Sequence, residues 1–222
     1  AAAFDAIYAH WGGSHFALEQ LKQGVIDNLD AFPNPADAFF RKSKIAAPHN
    51  GFTSIERLER AADALTYRRE LREGVGFPHA ATSTPFAAGA KRGELAVSYP
   101  NSFEVKFVYD PEANQYRRLR DGRVERDKLD GSQVAVENVV VMRAISYQIE
   151  GDYNTVKIEG EGSAAFYLGG REIRGRWSKD RAKRESPLKF FDDQGREVLF
   201  APGRIWISII EPERPVTWKA LP

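Results

Sequence analysis

Apolar and polar residues alternate with two different periods along the chain, and the change of period divides it. Before about residue 90, short strand-like runs mix with stretches of helical spacing, whereas from Leu95 onward apolar residues recur at every second position. A period near 3.6 is typical of amphipathic helices, and a period of two is typical of strands with one buried face. The pattern predicts an α+β fold, with an N-terminal α/β region over residues 1–90 packed with a C-terminal antiparallel β-domain over residues 91–222.

The start of the chain has the order strand, glycine turn, helix, strand. Residues 4–9 and 25–32 are rich in strand-forming side chains. The HWGGS sequence at residues 10–14 predicts a tight turn, with Ser14 as the N-cap of the helix that follows and Gly24 as its end. This order is typical of α/β proteins.

A second helix is predicted over residues 55–71, where apolar residues share one face and charged residues occupy the other. Thr53 or Ser54 is expected to cap it. The glycines of the GVGFP sequence at residues 74–78 are expected to end it. The next stretch, residues 78–93, is rich in Ala, Thr, Ser, Pro and Gly, which predicts a linker or a covering loop.

Short strands separated by turn signals fill the second region, and this spacing is typical of an antiparallel β-domain. The Gly169-Gly170 pair between two alternating runs predicts a hairpin. The predicted strands cover residues 96–99, 103–109, 115–119, 134–141, 145–149, 156–159, 164–168, 171–177, 188–191 and 206–210.

The charge balance and the cysteine content exclude several classes of function. The chain has 32 basic and 31 acidic residues and a net charge of +1, whereas a nucleic-acid-binding protein normally carries a strong basic excess. We therefore expect no nucleic-acid partner. The absence of cysteine excludes disulfides, thiolate metal sites and a cysteine nucleophile. No apolar run approaches the roughly 20 residues that span a bilayer, so no membrane span is expected in this chain.

Several segments resemble one known family in sequence and in order. They are FDAIYAHWGGS at residues 4–14, ALEQLK at residues 17–22, FFRKSKIAAPHNGFTS at residues 39–54, SFEVKFVYDPEANQYR at residues 102–117, and the Gly- and Trp-containing stretch at residues 160–209. Together they cover almost the whole chain. They resemble the YerB-like lipoproteins, a bacterial family of unknown function with an N-terminal α/β region and a C-terminal β-domain.

The resemblance implies an extracytoplasmic protein of the cell envelope, held at the outer face of the cytoplasmic membrane. Family members carry upstream sequence with a lipid-anchor cysteine and an arginine-bearing segment, whereas this chain starts with AAA directly before the first strand-like run. We therefore expect an upstream segment that is missing here, and an N-terminal region that is incomplete without it. The implied partners are an envelope polymer or an envelope protein.

Polar residues on two loops form the candidate site. The first loop precedes the first helix, and the second lies on a Pro/Gly turn before the second helix, so both could meet at the carboxyl ends of neighbouring strands. Imidazole exchanges a proton near neutral pH and arginine can bind two oxygens at once, which suits an anionic ligand. A purely structural role in turns and helix caps is the alternative. The candidate residues are His10, Gly12, Gly13, Ser14, Arg41, His49, Asn50 and Ser54.

Two functions remain open. One is non-enzymatic binding of a wall polymer or partner protein, and the other is a phosphotransferase or hydrolase that acts on an anionic envelope polymer. Residues 6–21 resemble a segment of the LytR-CpsA-Psr envelope phosphotransferases but lack the upstream arginine of those enzymes. An enzyme requires His10, Arg41 and His49 to converge in one crevice. No metal and no cofactor is expected, because the histidines lack ligand spacing, and Ser14 lies outside a GxSxG nucleophile motif.

Overall fold

The chain forms two compact units. The computed structural model describes residues 2–72, 74–83, 86, 89–99 and 103–221. The first, here called the N-terminal unit, comprises Ala1–Gly76 and Ala182–Pro187. The second, here called the β-unit, comprises Phe77–Arg181 and Leu188–Pro222. The described part of residues 78–93, in which we expected a linker or covering loop, thus belongs to the β-unit.

The N-terminal unit contains the predicted strand–helix–strand order. Strands β1 and β2 pair in parallel, with Ala9 opposite Leu29, and the chain crosses between them through α1. A second pair of strands, β3 and β4, forms an antiparallel hairpin. The elements are β1 (Tyr8–His10), α1 (His15–Lys22), β2 (Asn28–Asp30), β3 (Phe40–Arg41), β4 (Gly51–Phe52) and α2 (Ile55–Ala64), with 3-10 turns at Ala2–Phe4 and Pro35–Asp37.

Three elements of this unit are shorter than predicted, and one of them is β2, which covers Asn28–Asp30 where residues 25–32 were expected. The first strand begins only at Tyr8, because Asp5 adopts a φ of 49° that interrupts the extended chain. The second helix ends at Ala64 instead of residue 71, and Thr66 lies just beyond it with a φ of 58°. The Tyr67 hydroxyl donates to the Asn28 carbonyl at 3.1 Å. This tertiary contact directs the chain away from the helix axis, and apolar periodicity does not report it.

A small apolar core holds the N-terminal unit together. Its fully covered centre joins β2, the segment before β3 and α2 through Leu29, Ala31, Ala38, Phe39 and Ala61. Alanines at three of these positions let the helix and the strands approach closely. Fully burying one of the larger side chains stabilises a fold by about 1.5–3 kcal/mol, so a core of this size is modest.

The β-unit consists of two large sheets and one separate hairpin. Every predicted strand segment overlaps an observed strand, whereas β8 and β17 were not predicted. One sheet has the strand order β15-β14-β13-β10-β16, the other has the order β17-β5-β6-β7-β8 with β9 beside β7, and β11 and β12 pair only with each other. The strands are β5 (Gly93–Ser98), β6 (Glu104–Asp110), β7 (Gln115–Arg120), β8 (Arg123–Val124), β9 (Ala135–Val136), β10 (Asn138–Arg143), β11 (Ser146–Glu150), β12 (Tyr153–Val156), β13 (Gly160–Leu168), β14 (Arg171–Lys179), β15 (Lys189–Asp192), β16 (Ile205–Ile210) and β17 (Val216–Ala220).

The pairing corrects the prediction of a purely antiparallel domain, because among the described residues one pair of strands and the isolated bridge between His79 and Phe200 are parallel. Strand β10 pairs antiparallel with β13 but parallel with β16, with Val140 opposite Ile207. The sequence of β10 is a nearly continuous apolar run, and its residues from Asn138 to Met142 are buried on both faces. Such a run is typical of a central strand, whereas β5 and β6 alternate between buried and half-buried positions.

The two large sheets share one core. Inward side chains of β5, β6 and β7 pack with those of β10, β13 and β16 in a single cluster of fully covered residues. Aromatic residues dominate its volume, including Phe107, Tyr109, Tyr116 and Tyr167. Burial raises the pKa of the Tyr116 and Tyr167 hydroxyls far above the ordinary value, so both remain neutral at any physiological pH.

Asn138 fixes the connection that leads into β16. Its side chain is fully buried, its amide nitrogen donates to the carbonyls of Ala201 (2.9 Å) and Arg204 (3.1 Å), and its Oδ1 accepts from the Ala201 N–H at 2.9 Å. The carboxamide therefore supplies the partners of the Ala201 N–H and carbonyl. A buried polar group without a partner costs about 1–3 kcal/mol, so the clamp has a large effect on stability.

We predict that Asn138→Ala lowers the free energy of unfolding by about 2–4 kcal/mol, because the buried N–H and carbonyl of Ala201 lose their partner. Urea denaturation followed by circular dichroism measures this loss. The matched control is Asn154→Ala in the exposed β12 strand, which should change stability by less than about 0.5 kcal/mol. If both substitutions lowered the free energy of unfolding equally, the hydrogen bonds of the Asn138 side chain would not be the cause of the loss.

Candidate functional site

His10 lies at the carboxyl end of β1 with both ring nitrogens engaged. Nδ1 donates to the Gly12 carbonyl at 3.0 Å, and Nε2 lies 3.1 Å from Asn28 Oδ1. The residue is only 6% exposed, and the Tyr8 ring stacks on it at 5.0 Å. In this geometry His10 ties the glycine turn to β2, which is the structural alternative considered above for this histidine.

The rest of the glycine turn begins the first helix. Gly12 has a φ of 73°, a conformation that glycine adopts without a steric penalty. Ser14 Oγ accepts from the Ala17 N–H at 3.2 Å, and Ser54 Oγ accepts from the Arg57 N–H at 3.4 Å at the start of α2. Both serines are therefore N-caps, as predicted. A cap of this kind stabilises its helix by about 1 kcal/mol.

Trp11 is the contact between the two candidate loops. The guanidinium of Arg41 lies over the Trp11 ring at 4.4 Å, and the ring meets Phe39 of the core edge-on at 5.8 Å. A Cβ atom at Gly51 would lie 2.5 Å from the same ring, so only glycine fits there. The two loops thus meet through an indole and a guanidinium. Sequence reasoning treated Trp11 as part of a turn and did not assign it to the site.

The β3–β4 hairpin gathers positive charge on aromatic rings. We call residues 40–52 together with Trp11 and Arg57 the cationic hairpin. Each of its three aromatic faces carries one cation, a contact worth about 0.5–1 kcal/mol at exposed sites. The three pairs are Arg41 over Trp11 (4.4 Å), Lys42 over Phe52 (4.3 Å) and Arg57 over Phe40 (4.9 Å).

Neutral oxygen atoms hold the two arginines in place. Arg41 Nη1 donates to Asn50 Oδ1 at 2.6 Å, and Arg57 Nη1 donates to the Asp37 carbonyl at 2.6 Å. Among the ion pairs of the described residues, none includes Arg41, Lys42, Lys44 or Arg57. Their positive charge is therefore not compensated by a carboxylate in this part of the chain.

The candidate residues are thus only partly brought together. Arg41 and Asn50 are bonded to each other, and Trp11 joins them to the glycine turn. His49 is exposed in the connection between β3 and β4. Within the described ranges, no hydrogen bond or ring contact joins His10 or His49 to Arg41. No group of three His, Asp or Glu side chains suited to a metal ion occurs there either.

Two other arginines of the N-terminal unit, Arg68 and Arg72, are paired with the same carboxylate. Arg68 forms an ion pair with Asp5, and the Arg72 main-chain N–H donates to the same carboxylate at 3.1 Å. Burial raises the pKa of Asp5, but the hydrogen bonds from Arg68 and Arg72 outweigh this effect, so its pKa lies below the ordinary value. This cluster borders a polar cavity of about 220 Å³. Its charges, unlike those of the cationic hairpin, are matched internally.

A larger cavity of about 610 Å³ opens beside the carboxyl ends of β1 and β2. Its walls are mostly apolar and include Leu18, Leu21, Phe32 and Tyr67, and the His10 ring is part of one wall. An apolar cavity at the end of parallel strands is a common position for ligands. Two of its polar groups, the His10 ring and the Tyr67 hydroxyl, are already bonded to Asn28.

Comparisons with known proteins agree with the fold and with the family resemblance. Residues 1–68 match the N-terminal domain, and residues 95–207 the C-terminal domain, of the family described as "Protein of unknown function (DUF3048)". The chain is 26% identical over 211 residues to "Putative lipoprotein YerB" of Bacillus subtilis (strain 168), a match that covers 93% of this chain and 61% of that protein. The crystal structure of YerB from Bacillus subtilis superposes with a TM-score of 0.80 at 24% identity, over 97% of this chain and 72% of that one.

The relative is longer than this chain, which spans 61% of its length. The structural likeness establishes the fold. The described residues contain no helix with the length and apolar content needed to cross a membrane.

We predict that substitution of His10 lowers stability, whereas substitution of His49 hardly changes it. His10→Ala should lower the free energy of unfolding by about 2–4 kcal/mol, because the Gly12 carbonyl and the Asn28 amide lose a partner beneath the turn. His49→Ala should change it by less than about 0.5 kcal/mol, because the side chain is exposed. Thermal and urea denaturation of the two variants measure the difference. If His10→Ala left the free energy of unfolding unchanged, this histidine would be available for another role.

Proposed function

We propose a function for this chain, which belongs to the DUF3048 family of proteins of unknown function. In this proposal it is an extracytoplasmic binding protein of the cell envelope. Its cationic hairpin holds a polymer that carries phosphate or carboxylate groups. The name of its Bacillus subtilis relative, "Putative lipoprotein YerB", supports the envelope location.

The uncompensated charge of the cationic hairpin carries this proposal. Arg41, Lys42 and Arg57 lie on aromatic rings and are not paired with carboxylates in the described part of the chain. Elsewhere in the protein, cations such as Arg117 and Arg196 form ion pairs at 2.8 Å. A cluster of like charges that repel one another lowers stability, so its presence on one hairpin is best explained by an anionic partner.

The aromatic rings orient the cations instead of binding the polymer themselves. A guanidinium that stacks on a ring keeps its edge free to donate hydrogen bonds, and this edge can bind two oxygens of a phosphate or carboxylate. Stacking also reduces the conformational freedom that the side chain would lose on binding. Because the ring faces are occupied by cations, stacking of neutral sugars on them is a weaker explanation.

Binding explains the site better than catalysis. Acid–base chemistry needs a titratable group within hydrogen-bond reach of the reacting atoms. Both nitrogens of His10 are engaged under the turn, and His49 lies exposed without a bond that orients it in the described structure. Arg41 and Asn50 supply donors and charge but no general base. These features support a binding protein over the phosphotransferase or hydrolase alternative.

We predict that Arg41→Ala/Lys42→Ala weakens binding of purified poly(glycerol phosphate) by about tenfold at low salt, since each exposed charge contact is worth up to about 1 kcal/mol. Isothermal titration calorimetry at two salt concentrations measures the affinity, which should fall as salt rises. A neutral glucan should not bind.

The matched control is Arg123→Ala/Lys128→Ala, which removes the same charge from exposed positions of the β-unit. This control should bind like the unaltered protein. Equal losses for both double variants would mean that the polymer responds to net charge alone, and no binding by the unaltered protein would exclude this ligand class.

A further inference from the structure

We propose that the cationic hairpin contains a self-modification site, in which Asn50 deamidates through attack by the Gly51 main-chain nitrogen. The modification places a carboxylate beside Arg41 and weakens the binding of an anionic polymer. The chemical step stands on the geometry of the hairpin alone, and its effect on binding rests on the proposed function.

The local sequence favours this reaction. Asn50-Gly51 is the one Asn-Gly pair in the chain. Glycine at this position leaves the attacking nitrogen sterically unhindered, because no side chain shields it. The glycine cannot be replaced without cost, since a Cβ would lie 2.5 Å from the Trp11 ring. The packing that orients Arg41 therefore also requires the most reactive neighbour that an asparagine can have.

The pairing of the hairpin leaves the attacking nitrogen outside the β3–β4 ladder. The Lys42 N–H donates to the Asn50 carbonyl at 2.9 Å, so these two residues form a hydrogen-bonded pair. In an antiparallel ladder such pairs alternate with non-hydrogen-bonded ones. Arg41 and Gly51, the next pair in register, are therefore of the second type, and the Gly51 N–H points away from β3. Asn50 itself lies in a turn at the end of the strand.

Arg41 polarises the carboxamide that is attacked. Its Nη1 donates to Asn50 Oδ1 at 2.6 Å. A charged donor on a carbonyl oxygen withdraws electron density from the carbon and stabilises the oxyanion that forms during attack. This contact holds the carboxamide through Oδ1. The amide nitrogen, Nδ2, takes no part in it and departs as ammonia.

The step balances without any co-reactant except water. The Gly51 nitrogen loses its proton and bonds to Asn50 Cγ, the bond from Cγ to the amide nitrogen breaks, and ammonia leaves with the proton. Water then opens the cyclic imide at one of its two carbonyls, which gives aspartate or isoaspartate. Each product carries one new negative charge. Isoaspartate also lengthens the backbone by one methylene, which disturbs the Arg41–Gly51 register.

The product changes the character of the surface. Arg41 is not paired with a carboxylate now, but a carboxylate at position 50 would lie where the neutral oxygen lies at 2.6 Å. The new ion pair would compensate the charge that we assign to polymer binding. We therefore expect binding to weaken as the protein ages, with no change in the fold of the β-unit.

Ageing of the full chain in mildly alkaline buffer, followed by peptide mass mapping, tests the chemical step. We expect the peptide with Asn50 to gain the mass of an amide-to-acid change before the peptide with the exposed Asn154 does. Arg41→Ala should slow the gain by about threefold or more, because the polarising donor is lost. Equal rates at Asn50 and Asn154 would overturn the site, and an unchanged rate in Arg41→Ala would overturn the role of Arg41.

Two substitutions test the effect on binding. Asn50→Gln keeps the carboxamide but cannot form the five-membered cyclic imide, so its peptide should not gain mass during ageing. Asn50→Asp should bind poly(glycerol phosphate) about threefold to tenfold more weakly than Asn50→Gln. If Asn50→Asp and Asn50→Gln bound the polymer equally well while Arg41→Ala/Lys42→Ala still bound it more weakly, the new carboxylate would have no effect on binding. If no variant binds the polymer, the proposed function fails, whereas the mass mapping still decides the modification.

Discussion

The contact between the Trp11 indole and the Arg41 guanidinium determines how the surface of the N-terminal unit is arranged. The indole reaches the core through Phe39 on one side and supports the guanidinium on the other. It also fixes glycine at position 51, because any side chain there would collide with the ring. A residue of the first turn thus sets the conformation of a hairpin about 40 positions later in the chain. The geometry of Arg41 and Asn50 follows from this contact.

The partners of the arginines distinguish structural charges from available ones. Arg68 and Arg72 bind the Asp5 carboxylate, and their hydrogen bonds and charges hold its pKa below the ordinary value. Arg41 and Arg57 bind only neutral oxygens. A neutral acceptor fixes the direction of a guanidinium but leaves its electric field intact. The cationic hairpin therefore combines order with uncompensated charge, which is the combination that recognition of an anion requires.

Features that depend on local sequence were predictable, and features that depend on distant contacts were not. Ser14 and Ser54 were predictable as caps, because a serine hydroxyl just before an apolar-periodic run can accept a free N–H of the first helical turn. The strands of the β-unit follow from alternation, since each side chain reports which face of the sheet it occupies. The parallel pairing of β10 with β16 and the early end of α2 at Ala64 depend on contacts across the fold, such as Tyr67 with Asn28.

At the candidate site, too, the sequence did not reveal contacts between residues that are distant in the chain. The sequence named Asn50 as a candidate because polar residues on a Pro/Gly turn are exposed, and Arg41 because a guanidinium can bind two oxygens of an anion. It could not assign His10, whose partners Gly12 and Asn28 come from the turn and from the next strand. Trp11 escaped notice because an aromatic beside two glycines has the composition of a turn. The signal that could have placed Trp11 at the site is Gly51. A Cβ atom at Gly51 would lie 2.5 Å from the Trp11 ring, so the glycine makes room for the indole.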